Sequence, residues 1–155
     1  AIYGDVKGRG EATVEWIVKE LKPYIDSTYR TYPFREATAI AGYSMGGMLT
    51  LFTVLRHNDT FSKAAVISPS VVPAIEAFRK EVQEPLAEDT RIFFSWGTAE
   101  YAHEYNELVA KYILELEKEV QKQGVKTYLF RQENGQHNEA SWEQQVPTWM
   151  QFLWF

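Results

Sequence analysis

Apolar positions along the chain alternate between helical spacing and short continuous runs. Val14, Ile17 and Leu21 recur three or four residues apart, which predicts a helix that begins at Glu11. Pro23 is expected to kink or end this helix. After it, a pattern of strand followed by helix repeats four times. This alternation predicts an α/β fold, with a mostly parallel sheet flanked by helices.

The predicted strands are short and apolar, and the predicted helices carry apolar stripes. The strands are expected over Ala37–Tyr43, Ala64–Ser68, Arg91–Trp96 and Lys126–Arg131. The helices that follow them are expected over Gly46–His57, Pro73–Gln83, His103–Gln123 and Ser141–Leu153. Ser141 and Gln144 resemble a capping box at the start of the last helix. We expect one domain over residues 1–155, opened by a polar loop over residues 1–10.

Composition narrows the classes of function. The chain has 155 residues, of which 45% are hydrophobic, enough for one packed core. Lys and Arg number 16 against 21 Asp and Glu, so the net charge of -5 favours neither nucleic acid nor an anionic membrane as a partner. The absence of cysteine excludes disulfides, cysteine nucleophiles and cysteine-based zinc sites. The longest apolar stretch, Met48–Leu55, is too short to span a membrane.

The first predicted strand runs into the motif Gly42-Tyr43-Ser44-Met45-Gly46. G-x-S-x-G between a strand and a helix predicts a nucleophile elbow with Ser44 at its tip. Glycine is expected to be required at Gly42 and Gly46, two residues either side of Ser44, because a side chain there would block the passing backbone. The backbone N–H of Met45, at the helix N-terminus, is the expected oxyanion donor. The alternative is a tightly packed glycine-rich turn whose serine caps the helix.

A serine nucleophile needs a base, and the chain offers three histidines. His57 ends the helix that begins beside Ser44, roughly 20 Å away by helical rise, and is too distant. His137 follows the fourth strand, on the same sheet edge as Ser44, and is favoured over His103 at the start of a long helix. A solvated loop histidine is the alternative interpretation of His137.

The acid that orients the base is expected after the third strand, at the same edge. Glu100 is the carboxylate in that turn, and Glu104 is the fallback one helical turn later. The order Ser44, Glu100, His137 is the nucleophile–acid–base order of α/β-hydrolases. Taken alone, Glu100 is better explained as an acidic residue placed favourably at a helix N-terminus. The catalytic interpretation depends on all three residues falling at one sheet edge in the right order.

Other residue patterns add little chemistry. Tyr43, Tyr101 and Trp142 lie near the predicted triad and are expected to contact substrate, with ordinary packing as the alternative for each. There is no H-E-x-x-H motif, and the Gly42–Gly47 turn lacks the lysine of a phosphate-binding loop. We therefore expect neither a metal nor a cofactor.

Five segments resemble the esterase group of α/β-hydrolases that includes esterase D, feruloyl esterases and enterochelin esterases. They are Glu20–Asp26, Ala41–Gly47, Val66–Ser70, Gly97–Glu100 and Gly135–Trp142, and they span nearly the whole chain. The resemblance implies hydrolysis of a carboxylic ester through an acyl-enzyme. Ser44 would attack, His137 would carry the proton, Glu100 would orient His137 and the Met45 N–H would bind the oxyanion.

The resemblance also implies strands and a second oxyanion donor before the nucleophile strand. Only loop and helix are predicted before Ala37, so we expect the chain to be the C-terminal portion of an enzyme, with the N-terminal strands absent from it. Thr38–Ala41 would then form an open apolar edge that favours self-association. A catalytically incomplete binding domain and an acyltransferase on the same scaffold are the alternative functions.

Overall fold

The computed structural model describes residues 8–82 and 85–155. The chain divides into two compact units, one ending at Pro33 and the other beginning at Phe34. Most of the polar loop predicted over residues 1–10 lies outside the described residues. So does Gln83, the predicted end of the helix from Pro73.

The first unit contains the helix predicted from Glu11, in three consecutive parts. These are α1 (Gly10–Trp16), a π-helical turn (Ile17–Leu21) and α2 (Lys22–Thr28). Pro23 does not end the helix, because it occupies the first turn of α2. Proline lacks an N–H and crowds the carbonyl four residues earlier, and that carbonyl lies within the wide π-helical turn. The distortion that Pro23 requires is therefore taken up just before it.

The second unit contains all four predicted strands, each within two residues of its expected bounds. They are β1 (Ala39–Tyr43), β2 (Lys63–Ile67), β3 (Arg91–Gly97) and β4 (Lys126–Gln132). The helices of this unit are α3 (Met45–Arg56), α4 (Ile75–Glu81), α5 (His103–Gln121), α6 (Glu139–Glu143) and α7 (Val146–Trp154). Short 3₁₀ turns lie at Arg35–Ala37 and Val72–Ala74.

The four strands pair in chain order, β1-β2-β3-β4, and every pairing is parallel. Helices cover the sheet between successive strands, which confirms the predicted α/β fold. Because parallel strands end at the same edge of a sheet, the loops after β1, β2, β3 and β4 lie side by side.

The last predicted helix is two helices rather than one. The chain leaves helical geometry after α6 and re-enters it at α7, whose first turn contains Pro147. Proline is favoured in a first helical turn because its missing N–H would have no partner there. The predicted capping box at Ser141 is also wrong, since the Asn138 side chain accepts a hydrogen bond from the Ser141 N–H (3.0 Å) and caps α6.

The core lies on both faces of the sheet because successive side chains of a strand point in opposite directions. Phe94 packs with Leu51 and Ile113 on the face covered by α3, α4 and α5. Phe93 packs with Trp142 and Leu153 on the face covered by α7. None of the helices in the described part of the chain is long and apolar enough to cross a membrane.

One strand of the sheet is far more exposed than its neighbour. All five residues of β2 are buried, whereas those of β1 are half-buried or exposed, with Ala41 and Tyr43 exposed. Within the described residues, β1 pairs with β2 alone and forms an edge of the sheet. The predicted edge position of Thr38–Ala41 therefore agrees with the sheet order.

The core predicts a large loss of stability for Phe94→Ala. The Phe94 side chain is fully buried, so truncation should lower the free energy of unfolding by about 3–5 kcal/mol. Leu114→Ala is the control, because Leu114 is 44% exposed on a helix and should change stability by about 0.5 kcal/mol or less. Chemical denaturation followed by circular dichroism measures both. Equal losses in the two variants would contradict this assignment of the core.

Candidate active site

The three residues predicted to form a triad meet at the carboxyl edge of the sheet. Ser44 directly follows β1, Glu100 follows β3 and His137 follows β4. Nε2 of His137 lies 2.8 Å from Oγ of Ser44, and Nδ1 of His137 lies 3.0 Å from Oε2 of Glu100. The three side chains therefore form one continuous hydrogen-bonded chain.

Ser44 occupies a backbone conformation that is unusual for any residue except glycine. Its φ is 56° and its ψ is -121°, at a cost on the order of 1–3 kcal/mol. Two backbone hydrogen bonds offset this cost. The Ser44 N–H donates to the Ile67 carbonyl (3.1 Å), and the Ser70 N–H donates to the Ser44 carbonyl (3.1 Å). The turn that carries Ser44 is thus hydrogen-bonded to the end of β2 and to the loop that follows it.

The glycines beside Ser44 are not equally necessary. A Cβ atom on Gly42 would lie 2.5 Å from the Gly46 carbonyl oxygen, so a side chain is excluded there. Apart from its chain neighbours and the backbone of its own helix, a Cβ on Gly46 would meet no described atom within 4 Å, so the expectation that this glycine must lack a side chain is wrong. A Cβ on Gly47 would lie 2.8 Å from the Ile67 carbonyl oxygen, which makes Gly47 the second required glycine.

The Glu100 carboxylate is held on both of its oxygens. Its side chain is 1% exposed. Oε1 accepts hydrogen bonds from the Ser68 hydroxyl (2.5 Å) and the Gly97 N–H (2.5 Å), while Oε2 faces His137. A buried carboxylate needs such donors because it has lost its water. The fallback acid, Glu104, is exposed on α5.

The hydrogen bonds assign the proton on His137. A carboxylate accepts hydrogen bonds only, so the proton lies on Nδ1 and points to Glu100. Nε2 is then the acceptor for the Ser44 hydroxyl. His103 is exposed at the first residue of α5, and His57 follows the end of α3 remote from Ser44.

Tyr101 also touches His137. Its hydroxyl oxygen lies 2.9 Å from Nδ1, and the two rings are 5.0 Å apart. Burial, reinforced by the charge of the adjacent Glu100, raises the pKa of Tyr101 well above its usual value. Tyr101 therefore stays neutral and adds no second negative charge beside the imidazole.

The loops that carry Glu100 and His137 are joined through their backbones. The Ala99 N–H donates to the Gly135 carbonyl (2.9 Å), and the Asn134 N–H donates to the Thr98 hydroxyl (2.8 Å). A Cβ on Gly97 would lie 2.2 Å from the Gly135 oxygen, so only glycine permits this approach. The two loops form one packed unit that fixes Glu100 relative to His137.

Aromatic rings surround the three side chains. Trp142 is 7% exposed and meets the His137 ring edge-on, with centroids 4.9 Å apart. Tyr43 is 47% exposed and stacks on Trp142 at 4.3 Å. Both line an apolar cleft of about 370 Å³ beside the end of β1, together with Ile67 and Trp149. Of these two residues predicted to contact substrate, Tyr43 presents an exposed ring, and the buried Trp142 ring stacks against it.

Two serines near the site were given no role by the sequence. Ser68 follows β2 and contacts Glu100, and Ser70 Oγ lies 3.5 Å from Ser44 Oγ. Their position directly after a buried strand of the same sheet was the available signal. In residues 8–82 and 85–155, no group of three His, Cys, Asp or Glu side chains is arranged to hold a metal ion.

Comparison with known protein families identifies one that covers nearly the whole chain. The model of the family described as "Putative esterase" matches residues 3–153. The chain belongs to this esterase family.

Solved structures of a serine hydrolase and of two esterases share the fold. An IroE-like serine hydrolase from Shewanella oneidensis superposes with a TM-score of 0.75 at 15% identity, over 95% of this chain and 47% of that protein. A ferulic acid esterase gives 0.69 at 19% identity, over 90% of this chain and 59% of that protein. The enterobactin esterase of Shigella flexneri gives 0.68 at 20% identity, over 87% and 35%. The chain thus has the fold of these three proteins and spans between 35% and 59% of their length.

The elbow predicts opposite effects for two glycine substitutions in one motif. Gly42→Ala forces Cβ against the backbone of Gly46 and should lower the free energy of unfolding by about 1–3 kcal/mol. Gly46→Ala places Cβ in open space within α3 and should leave stability unchanged or raise it by up to about 1 kcal/mol. Thermal unfolding of the pair is the measurement. A loss in Gly46→Ala as large as that in Gly42→Ala would contradict this account of the turn.

Proposed function

We propose that the chain carries the catalytic triad of a serine carboxylic ester hydrolase, with Ser44 as nucleophile, His137 as base and Glu100 as the orienting acid. The proposal rests on one observation, the hydrogen-bonded chain from Ser44 through His137 to the buried Glu100. A serine hydroxyl becomes nucleophilic when a positioned base takes its proton, and the base works when a third group fixes its tautomer.

The reaction proceeds in two halves. His137 Nε2 takes the proton of Ser44 as Oγ attacks the ester carbonyl, and Glu100 stabilises the imidazolium that forms. The tetrahedral intermediate collapses, its C–O bond to the alcohol breaks, and His137 returns the proton to the departing alcohol. Water then enters, loses a proton to His137 and attacks the acyl-enzyme. The bond between the acyl carbon and Ser44 Oγ then breaks, His137 returns the proton to Oγ, and the carboxylic acid is released.

The Met45 N–H is the proposed oxyanion donor. Met45 is the first residue of α3, where backbone N–H groups have no partner within the helix and the helix dipole favours negative charge. Because Met45 directly follows Ser44, its N–H lies close to the place where the oxyanion would form.

Substrate contact is proposed for the aromatic residues at the site. Tyr43 directly precedes the nucleophile and is exposed, while Tyr101 is half-buried against His137. Structural neighbours include a ferulic acid esterase and an enterobactin esterase. An ester with an aromatic group that packs on Tyr43 is accordingly the substrate class that we propose for this chain.

The serine is tested by intact mass after incubation with a fluorophosphonate. We expect one adduct in the wild-type chain and none in Ser44→Ala, because the phosphorus bonds to the activated hydroxyl. His137→Ala should slow labelling at least about 100-fold, whereas His103→Ala, at an exposed histidine, should label at the wild-type rate. A folded wild-type chain that forms no adduct would contradict the proposal and favour a binding domain.

The acid is tested by a matched pair of amide substitutions. Glu100→Gln keeps the size of the side chain but removes its charge, so hydrolysis of a short p-nitrophenyl ester should slow by about 10²- to 10⁴-fold. Glu104→Gln, at the exposed carboxylate one helical turn later, should retain the wild-type rate. The assignment of the acid would be reversed if Glu104→Gln lost activity and Glu100→Gln kept it.

The edge strand supports a separate proposal, that two copies of the chain associate through β1. The Ser44 N–H points to β2, so by alternation the N–H groups of Ala41 and Tyr43 point away from it. Among the described residues, no strand pairs with this side of β1. A strand edge with unpaired N–H groups and exposed apolar side chains is a template for another strand.

Ala41→Pro tests this association because it removes one outward N–H and leaves the bonds to β2 intact. We expect light scattering to detect a concentration-dependent dimer in the wild-type chain and in Ala41→Val, which keeps the N–H. Ala41→Pro should remain monomeric. A wild-type chain that is monomeric at every concentration would exclude the proposed association.

A further inference from the structure

We propose that Ser68 and Trp142 are positioning residues that hold the Glu100 carboxylate in register with His137. This inference rests on the proposed function, since it concerns the same triad. It adds two members to the hydrogen-bonded chain, which then runs from Trp142 through Ser68 to Glu100 and on to His137 and Ser44.

The distances link these side chains without a gap. Nε1 of Trp142 donates to Oγ of Ser68 (3.0 Å), and Oγ of Ser68 donates to Oε1 of Glu100 (2.5 Å). The other oxygen of Glu100 lies 3.0 Å from Nδ1 of His137. The Gly97 N–H provides a second donor to Oε1. With both oxygens held, the carboxylate keeps its plane as well as its position.

The direction of this chain follows from the chemistry of the groups. An indole N–H donates and never accepts, so Trp142 must use the Ser68 oxygen as its acceptor. The single hydroxyl proton of Ser68 is then left for Glu100, which as a carboxylate accepts and never donates. Trp142 therefore sets the orientation of the Ser68 hydroxyl.

Burial makes these bonds important. Ser68 is 1% exposed, Trp142 is 7% exposed and the Glu100 side chain is 1% exposed, so water does not substitute for a lost donor. Hydrogen bonds to a charged group in such surroundings are stronger than those in water. Ser68 supplies one of the two hydrogen bonds that fix the carboxylate from the side opposite His137.

The backbone of Ser68 gives an independent sign of this role. Its φ is 43°, in the left-handed region where glycine is free of strain and serine is not. Serine differs from glycine at this position by its hydroxyl group. That hydroxyl makes two hydrogen bonds, one to Glu100 and one from Trp142.

Trp142 connects the same network to the nucleophile. Its ring stacks on Tyr43, the residue before Ser44, and meets His137 edge-on. Trp142→Phe keeps an aromatic ring for both contacts and removes the N–H, so it isolates the hydrogen bond from the packing.

The test compares Ser68→Ala with Ser95→Ala. Ser95 is a fully buried serine on the next strand, and its Oγ has no hydrogen-bond partner among the described residues. We expect Ser68→Ala to lower kcat for a short p-nitrophenyl ester by about 10- to 100-fold with little change in KM, the effect of removing one hydrogen bond from a charged group. Ser95→Ala should match the wild type.

Two further variants separate positioning from a general loss of structure. Ser68→Gly relieves the backbone strain but also removes the hydroxyl, so it should lower kcat as Ser68→Ala does, with little change in KM. Trp142→Phe keeps the Ser68 hydroxyl and should lower kcat by a smaller factor.

Proton NMR tests the inference without turnover. The Nδ1 proton of His137, shared with a carboxylate, should give a low-field resonance that disappears in Glu100→Gln and shifts in the Ser68 variants and in Trp142→Phe. If the wild-type chain hydrolyses no ester but these shifts occur, the proposed function fails and the positioning role stands. Folded Ser68 and Trp142 variants with the wild-type resonance, or with wild-type kcat, would overturn the inference.

Discussion

Parallel pairing of four strands in chain order is the constraint on which the rest of the structure depends. It brings the ends of β1, β2, β3 and β4 to one edge, although the residues after them are far apart in sequence. Ser44 and His137 are 93 residues apart and come within 2.8 Å. No local interaction achieves such an approach. It follows from the register of the sheet and from the tight turns at the strand ends.

Strain is concentrated at this edge. The non-glycine residues with positive φ in the described part of the chain are Ser44, Ser68 and Asn134, and each lies just after a strand. Unfavourable backbone conformations persist where the surrounding structure over-determines them. The buried strands and the two packed faces of the sheet provide that support. The stability of the core thus offsets the cost of holding polar side chains in fixed orientations above it.

The sequence was sufficient to predict the strands and the edge at which Ser44, Glu100 and His137 meet. Strand runs, their order and the loops after them are local signals, and parallel topology converts them into proximity. The break between α6 and α7 was also signalled, by Pro147, but the apolar stripe continues across it and obscured the break. The need for glycine at Gly46 was misjudged because the clash belongs to Gly42, a contact between two backbone segments that no residue pattern records.

The contacts of Ser68 lay beyond sequence reasoning for another reason. A single serine after a strand has no periodicity, and its partners, Trp142 and Glu100, are 74 and 32 residues away. Whether its hydroxyl reaches them depends on one left-handed backbone conformation and on the packing of an aromatic ring. Such details are decided by tertiary structure, after the fold has formed.

The contact between Gly97 and Gly135 has a consequence for how this scaffold can diversify. The loop that carries Glu100 and the loop that carries His137 are bonded backbone to backbone, with no room for a side chain on Gly97 between them. A longer or shorter version of either loop would displace its partner as well. The two loops therefore act as one structural unit, in which a change of length in one requires a matching change in the other, whereas the turn that carries Ser44 is bonded elsewhere, to the end of β2.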